Sequence, residues 1–422
     1  MIFLFLPAFM INFETFTLDN GLRVIVHEDP NVQIAVLNVL YDVGSKDEDP
    51  ELTGFAHLFE HLMFGGSKNI SSYDEALQRA GGENNAFTSP DITNYYMTLP
   101  SQNIETGFWL ESDRMLGLSF DPKVLEVQRS VVIEEFKQRY LNQPYGDVWL
   151  KLRPLAYQSH PYRWPTIGKE ISHIENVTME DVKSFFYQHY LPNNATLVVA
   201  GNVKTEEIRK CSEKWFGPVP AGNRKERDLP VEPRQKQRRE VETSADVPLD
   251  SLFMTYHMSG KFDDNYYSAD LLGDILGRDK SSRLYSRLVR EKKLFHSINA
   301  HITGSIDPGL LVINGRVNSG TDPIAAENAI QEVIDEVMDG GVTERELEKV
   351  KNQAESSVVF SEMEILNRAM SLAVASLSGD VSIVNQEVEK IRSTSLDDIA
   401  AATREILRPD NASVMYYRSK NP

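Results

Sequence analysis

Two histidines four residues apart, with a glutamate just before the second, stand at His57, Glu60 and His61 in a chain of 422 residues. On an α-helix, residues i and i+4 lie one turn apart on the same face, so both imidazoles project together. That is the spacing with which two ring nitrogens hold a single Zn²⁺, at about 2.0–2.1 Å each. Glu60 follows His57 by three residues and adjoins His61, so its carboxylate reaches a water beside such an ion. It is a candidate general base. Taken alone, the five residues also suit a surface helix with two solvated histidines.

The flanks decide between these. Phe55, Leu58, Leu62 and Met63 recur at spacings of three and four, which predicts an amphipathic, partly buried helix, and Gly65-Gly66 supplies its stop. Charged and polar groups on a partly buried element need partners or a metal. A catalytic zinc takes three protein ligands, so one more must come from elsewhere. The stretch Pro122 to Phe136 reads as a helix with Val124, Gln128, Val131, Val132 and Glu135 on one inward stripe, and Glu134 on a more polar side. A carboxylate on the inward stripe suits a positive partner, so Glu135 is preferred to Glu134 as third ligand. The alternative is a glutamate reaching out to solvent from the helix edge.

With these residues in place, the chain resembles the pitrilysin-type zinc endopeptidases, whose group includes insulin-degrading enzyme and the mitochondrial processing peptidase. It looks closest to their short bacterial single-module members. H-x-x-E-H, the inverzincin order, matches at His57, Glu60 and His61. Arg129-Ser-Val-Val-Ile-Glu-Glu135 matches the third-ligand helix, and the match runs over nearly the whole chain from about Asn12. Gly81 to Thr88 is similar to the family's edge strand, which implies that Asn85, Ala86 and Phe87 bind substrate backbone. His160-Pro161-Tyr162 through Gly168 also fits the pattern. Two positions depart from it. Where a second glutamate is usual, seven residues before the third ligand, stands Gln128, two turns below Glu135 and able to hydrogen-bond without adding charge. In the second half, Ser281 to Tyr285 and Val289 to Lys293 match the family signature and bring Arg290 as a substrate-binding donor. The tyrosine that usually follows is replaced by His296 in a segment one residue shorter. The resemblance therefore implies a homodimer, or a heterodimer with a zinc-free paralogue that completes the site.

Composition bounds the alternatives. An apolar share of 41% with 25% charged residues is that of a globular chain, and a net charge of −18 speaks against nucleic-acid binding. Cys211, the single cysteine, allows no intramolecular disulfide and fits a reducing compartment. The apolar stretch from Met1 to Ile11 lacks a basic start and is too short to span a bilayer, and Met10 is a second candidate start. These features predict a cytoplasmic protein with no membrane segment, although a periplasmic one is compatible with them.

A duplication is visible within the chain itself. Thr178 to Val182 leads into Pro192-Asn193-Asn194-Ala195, and 217 residues later Ser395 to Ile399 leads into Pro409-Asp410-Asn411-Ala412. Each reads as a capped helix, a turn and a terminal strand. The predicted fold class is α+β, in two homologous halves, each an antiparallel-rich sheet packed with helices. The family resemblance implies that the halves face each other around a chamber. The boundaries are a zinc-binding catalytic half at 12–216, a proline-rich linker at 217–239 and a non-catalytic half at 240–420. A hairpin is predicted around Asn20-Gly21.

The expected chemistry is zinc-dependent peptide hydrolysis with Glu60 as base and the edge strand holding substrate by strand addition. Tyr95 and Tyr96 are candidates for hydrogen bonds near the metal or for core positions. His27, His160, His173, His189, His257 and His301 have no ligand spacing and read as structural or solvated. The competing readings are a peptide-binding scaffold subunit without turnover and a zinc amidase acting on small molecules.

Overall fold

The computed structural model describes residues 10–224 and 226–420, so the apolar residues 1–9 lie outside it. Two sheets organise the chain. The first contains β1 (Glu14–Thr17), β2 (Arg23–Glu28), β3 (Ile34–Tyr41), β4 (Glu83–Thr88), β5 (Thr93–Pro100) and β6 (Ala195–Gly201), in the order β1-β2-β6-β3-β5-β4. The second contains β7 (Arg239–Ala245), β8 (Ser251–His257), β9 (Phe295–Ile302), β10 (Leu310–Val317) and β11 (Ala412–Ser419), in the order β7-β11-β8-β10-β9. In each sheet one pair is parallel, β2 with β6 and β7 with β11, and the remaining pairs are antiparallel. The two orders are the same once β1 is set aside, which is the duplication expressed as topology. The predicted first hairpin is present, with Thr17 opposite Arg23 and Gly21 in the left-handed region at φ 86°.

The helices are α1 (Phe55–Leu62), α2 (Tyr73–Arg79), α3 (Ile104–Leu116), α4 (Pro122–Phe136), α5 (Val148–Ala156), α6 (Ile171–Glu175), α7 (Met179–His189), α8 (Thr205–Trp215), α9 (Tyr266–Gly277), α10 (Pro323–Gly340), α11 (Glu344–Ser361), α12 (Ile365–Ala375), α13 (Glu387–Ser393) and α14 (Leu396–Ile406). Short π-helical turns occupy Lys137–Leu141 and Tyr285–Glu291. The repeated segment is met twice in full. Thr178 and Ser395 each accept from the backbone three residues on and are answered by Asp181 and Asp398, a capping box at the start of α7 and again of α14.

The chain forms two compact units that are not continuous in sequence. One comprises the residues up to Phe136, Trp164–Leu229 and Val358–Glu387, and the other Lys137–Arg163, Pro230–Ser357 and the residues from Val388 onward. The exchange is reciprocal. α12 begins 217 residues after α5, yet α12 covers β6 and β3 of the first sheet, whereas α5 lies on β11 and β7 of the second. Val148 and Leu152 of α5 are buried with Met415 and Tyr417. Arg368 of α12, itself 3% exposed, bonds to His27 Nε2 and Asp29 Oδ2, both at 2.8 Å. Each sheet thus closes its core with the helix supplied by the opposite stretch of chain. The compact units differ from the expected continuous halves 12–216 and 240–420 in that they trade one helix each. None of the helices among the described residues is long and apolar enough to cross a membrane.

Candidate metal centre

α1 is placed by its apolar side. Phe55, Leu58, Phe59 and Leu62 are buried, and Phe59 stacks on Tyr190 at 4.4 Å beyond the end of α7, with Phe185 beside it at 5.4 Å. This burial turns His57, Glu60 and His61 to the other face. α4 then passes close by. A side chain at Gly65 would place its Cβ 2.2 Å from Val124 Cγ1, so glycine is what lets the chain after α1 lie against α4. On α4 the buried positions are Leu125, Val132 and Phe136. Val131, expected on the inward stripe, is instead 44% exposed, because the buried face is centred one position farther round the helix. Glu135 is half-buried on that side and Glu134 is exposed.

His57 Nε2 and His61 Nε2 lie 3.8 and 3.7 Å from the same oxygen, Glu135 Oε2. The imidazoles are nearly perpendicular, with centroids 4.9 Å apart. Those separations are too long for hydrogen bonds. They are close to the spacing of about 3.3 Å expected between ligands that share one ion at about 2.0 Å in tetrahedral geometry. Ligand atoms of the three residues all fall within 4.8 Å of one another, the one such group among the described residues. Two nitrogens and one carboxylate are a donor set suited to zinc, and side-chain exposures of 15%, 24% and 19% leave room for a further ligand from solvent.

Glu60 sits beside this group. Burial raises its carboxyl above the ordinary value, and the nearby Glu135 pushes the same way. The hydrogen bond from Thr88 and the proximity of His61 pull it back. Thr88 Oγ1 donates to Glu60 Oε2 at 2.6 Å. Thr88 ends β4, which forms the outer edge of its sheet and among the described residues pairs with β5 alone. Asn84, Ala86 and Thr88 are half-buried, while Glu83, Asn85 and Phe87 are exposed. The Ala86 N–H donates at 2.8 Å to Asn85 Oδ1 at the exposed edge. An unpaired edge with its last residue on the candidate base can take an extended peptide.

The sequence from 23 to 168 matches the family model described as Insulinase (Peptidase family M16), and 176–354 matches the Peptidase M16 inactive domain. The zinc protease PqqE of Helicobacter pylori is 30% identical over 386 residues, covering 90% of this chain and 85% of the relative. The chain belongs to peptidase family M16. A protease from Helicobacter pylori superposes with a TM-score of 0.91 at 26% identity, covering 97% of this chain and all of that one. Pitrilysin shares the fold with a TM-score of 0.77 at 19% identity, and the match spans 45% of its chain. The pitrilysin-type resemblance and the two-half α+β fold are therefore findings about this M16 chain.

The remaining predicted residues fall as follows. Gln128 is half-buried on α4, on the same side as Glu135. Arg290 is exposed in the π-helical turn Tyr285–Glu291, and His296 is exposed on β9, the edge of the second sheet. Tyr95 is a core residue, with the Arg114 guanidinium 4.3 Å from its ring, and Tyr96 is half-buried opposite Asn85. Of the other histidines, His27, His160, His173 and His257 make local structural bonds. Sequence reasoning passed over Thr88 as an individual residue, and over Glu48. The Glu48 carboxylate is buried and accepts from the backbone N–H of Gly54 and Ala56, at 3.0 and 2.8 Å, at the start of α1. The charged run just before the zinc motif was the available signal.

Proposed function

We propose that this M16 chain is a zinc-dependent endopeptidase acting on peptides or small unfolded polypeptides. The observation that carries the reading is the position of Glu60, adjacent to the His57, His61 and Glu135 group and bonded to the end of an open edge strand. His57, His61 and Glu135 would hold zinc, which when bound would supply Lewis acidity and a more acidic water. Thr88 holds the Glu60 carboxylate beside the three ligands, where Glu60 would accept a proton from the attacking water and deliver it to the leaving amine. Burial raises the Glu60 carboxyl above its ordinary value, the direction that suits a proton acceptor. β4 aligns an extended substrate through backbone bonds at Asn85, Ala86 and Phe87, which demands little of its sequence. Gln128, on the same side of α4, supports Glu135.

A second reading, a peptide-binding subunit with weak turnover, is favoured by one feature. His296 stands where the family signature has its tyrosine. A paralogous partner, or a second copy, would then complete the site. The test is cleavage of an unfolded peptide by the isolated protein, by Glu60→Gln and by mixtures with a paralogue. Cleavage by the wild type alone, lost in Glu60→Gln, supports the peptidase. Peptide binding without cleavage supports the subunit.

A further inference from the structure

Three consecutive charged residues precede α1, and their side chains hold three different elements. Lys46, 3% exposed, bonds through Nζ to Asp91 Oδ1 at 2.8 Å, in the turn that joins β4 to β5. Backbone bonds reinforce this contact, from Ser45 N–H to Ser89 O and from Lys46 N–H to Pro90 O. Gly44 has no room for a side chain, since a Cβ there would lie 2.5 Å from the Pro90 backbone. Asp47, its side chain 6% exposed, takes a two-pronged bond from Arg227, at 2.7 Å from Nε and 3.1 Å from Nη2, and itself accepts from Gly44 N–H. Glu48, 6% exposed, accepts from Gly54 and Ala56 and from Trp164 Nε1 at 3.0 Å.

The Glu48 contact answers a need created at Gly54. Gly54 occupies the N-cap of α1 at φ 86°, and a Cβ there would lie 2.4 Å from Ile167 O. The position cannot carry the serine, threonine or aspartate that usually caps a helix. Glu48 supplies the missing acceptor from six residues upstream; burial pushes its carboxyl up to about 8, while the bonds from Ala56, Gly54 and Trp164 pull it down. All three of its partners are N–H donors, which suits a carboxylate. Buried ion pairs such as Lys46–Asp91 contribute little net stability compared with apolar packing; their better-attested value lies in fixing geometry.

We propose that Lys46, Asp47 and Glu48 are positioning residues that set the metal-binding helix and the substrate-binding edge strand in register with one another. Glu48 fixes α1, which carries His57, Glu60 and His61. Lys46, through Asp91, fixes the end of β4 that carries Thr88. Arg227 holds Asp47 between them. This rests on the zinc-peptidase reading above, and it assigns the metal and the peptide to separate arms of one segment.

The test uses Glu48→Gln and Asp91→Asn in the full chain. Zinc affinity is read by competition with a chromophoric chelator, and peptide Kd is read on zinc-free protein with a fluorescent unfolded peptide. Glu48→Gln should lower zinc affinity about tenfold, the usual range for groups that orient metal ligands, and leave peptide Kd within about twofold. Asp91→Asn should raise peptide Kd about fivefold with zinc affinity held within about twofold. If Glu48→Gln does not fold, Trp164→Phe removes one donor to Glu48 and should cost about threefold in zinc affinity alone. Variants in which both affinities move together, or neither moves, overturn the proposal while leaving the peptidase reading intact. Wild type that binds neither zinc nor peptide overturns both.

Discussion

Thr88 Oγ1 lies 2.6 Å from Glu60 Oε2, so the last residue of the edge strand touches the candidate base. The strand proposed to align the substrate is thus hydrogen-bonded to the group proposed to move its proton. A shift of the strand by one residue would break it, because side chains alternate faces along β4.

Thr88→Val keeps the shape and removes the donor. A hydroxyl that donates to a carboxylate favours its charged form, so losing it should raise the Glu60 pKa further. The acid limb of kcat/KM should move to higher pH. A pH–rate profile with an unmoved acid limb would detach Glu60 from that limb.

Ala86→Pro addresses the edge itself. The Ala86 N–H bonds to its neighbour's side chain on the edge strand, and edge strands are where proline is tolerated. The variant should keep its Tm within a few degrees and raise KM about tenfold, the equivalent of about 1.4 kcal/mol from one lost backbone bond. Steady-state kinetics beside a thermal melt separates the two effects.

Gly65→Ala probes the approach of α1 to α4. The added methyl meets Val124 Cγ1 at 2.2 Å, so the helices must part, at a cost of about 1–3 kcal/mol. Zinc affinity should fall with stability, since Glu135 belongs to α4. Adding Val124→Ala makes room and should restore most of both, which denaturant unfolding and a zinc titration would record.

Much of this centre is legible in the sequence because its information is local. The 3.6-residue recurrence of Phe55, Leu58 and Leu62 gives α1 and its face, and Gly65-Gly66 marks its end. The pattern marks α4 as a helix but places its inward face one position from the buried Leu125, Val132 and Phe136. Val127 and Val131, both apolar, are 57% and 44% exposed, and apolar residues on both sides blur the stripe. The partners of Lys46 and Asp47, and Trp164 among those of Glu48, are far away in sequence, and no periodic signal marks a loop. The exchange of α5 and α12 has the same cause. Both are ordinary amphipathic helices, and which sheet each covers depends on tertiary packing alone.

A pH-linked element lies in the second unit. Glu346 accepts from Arg283 at 2.7 and 2.9 Å and closes a capping box with Thr343 at the start of α11. The Arg283 guanidinium holds its carboxyl down at about 2, below the ordinary 4.5. Its contribution to stability is therefore complete above about pH 4.5 and is lost as pH falls toward 2. Glu346→Gln should lower stability by about 1 kcal/mol at pH 7, allowing for solvent screening of a partly exposed pair, and the difference should vanish near pH 2. Urea unfolding across that range measures it.

The most direct test of the central claim is the zinc content of wild type, Glu60→Gln and Glu135→Gln, measured on the same preparations as their peptide cleavage. The expected result is about one zinc per chain in wild type and Glu60→Gln, little in Glu135→Gln, and cleavage in wild type alone. Zinc retained in full by Glu135→Gln, or cleavage that survives in Glu60→Gln, would contradict the account.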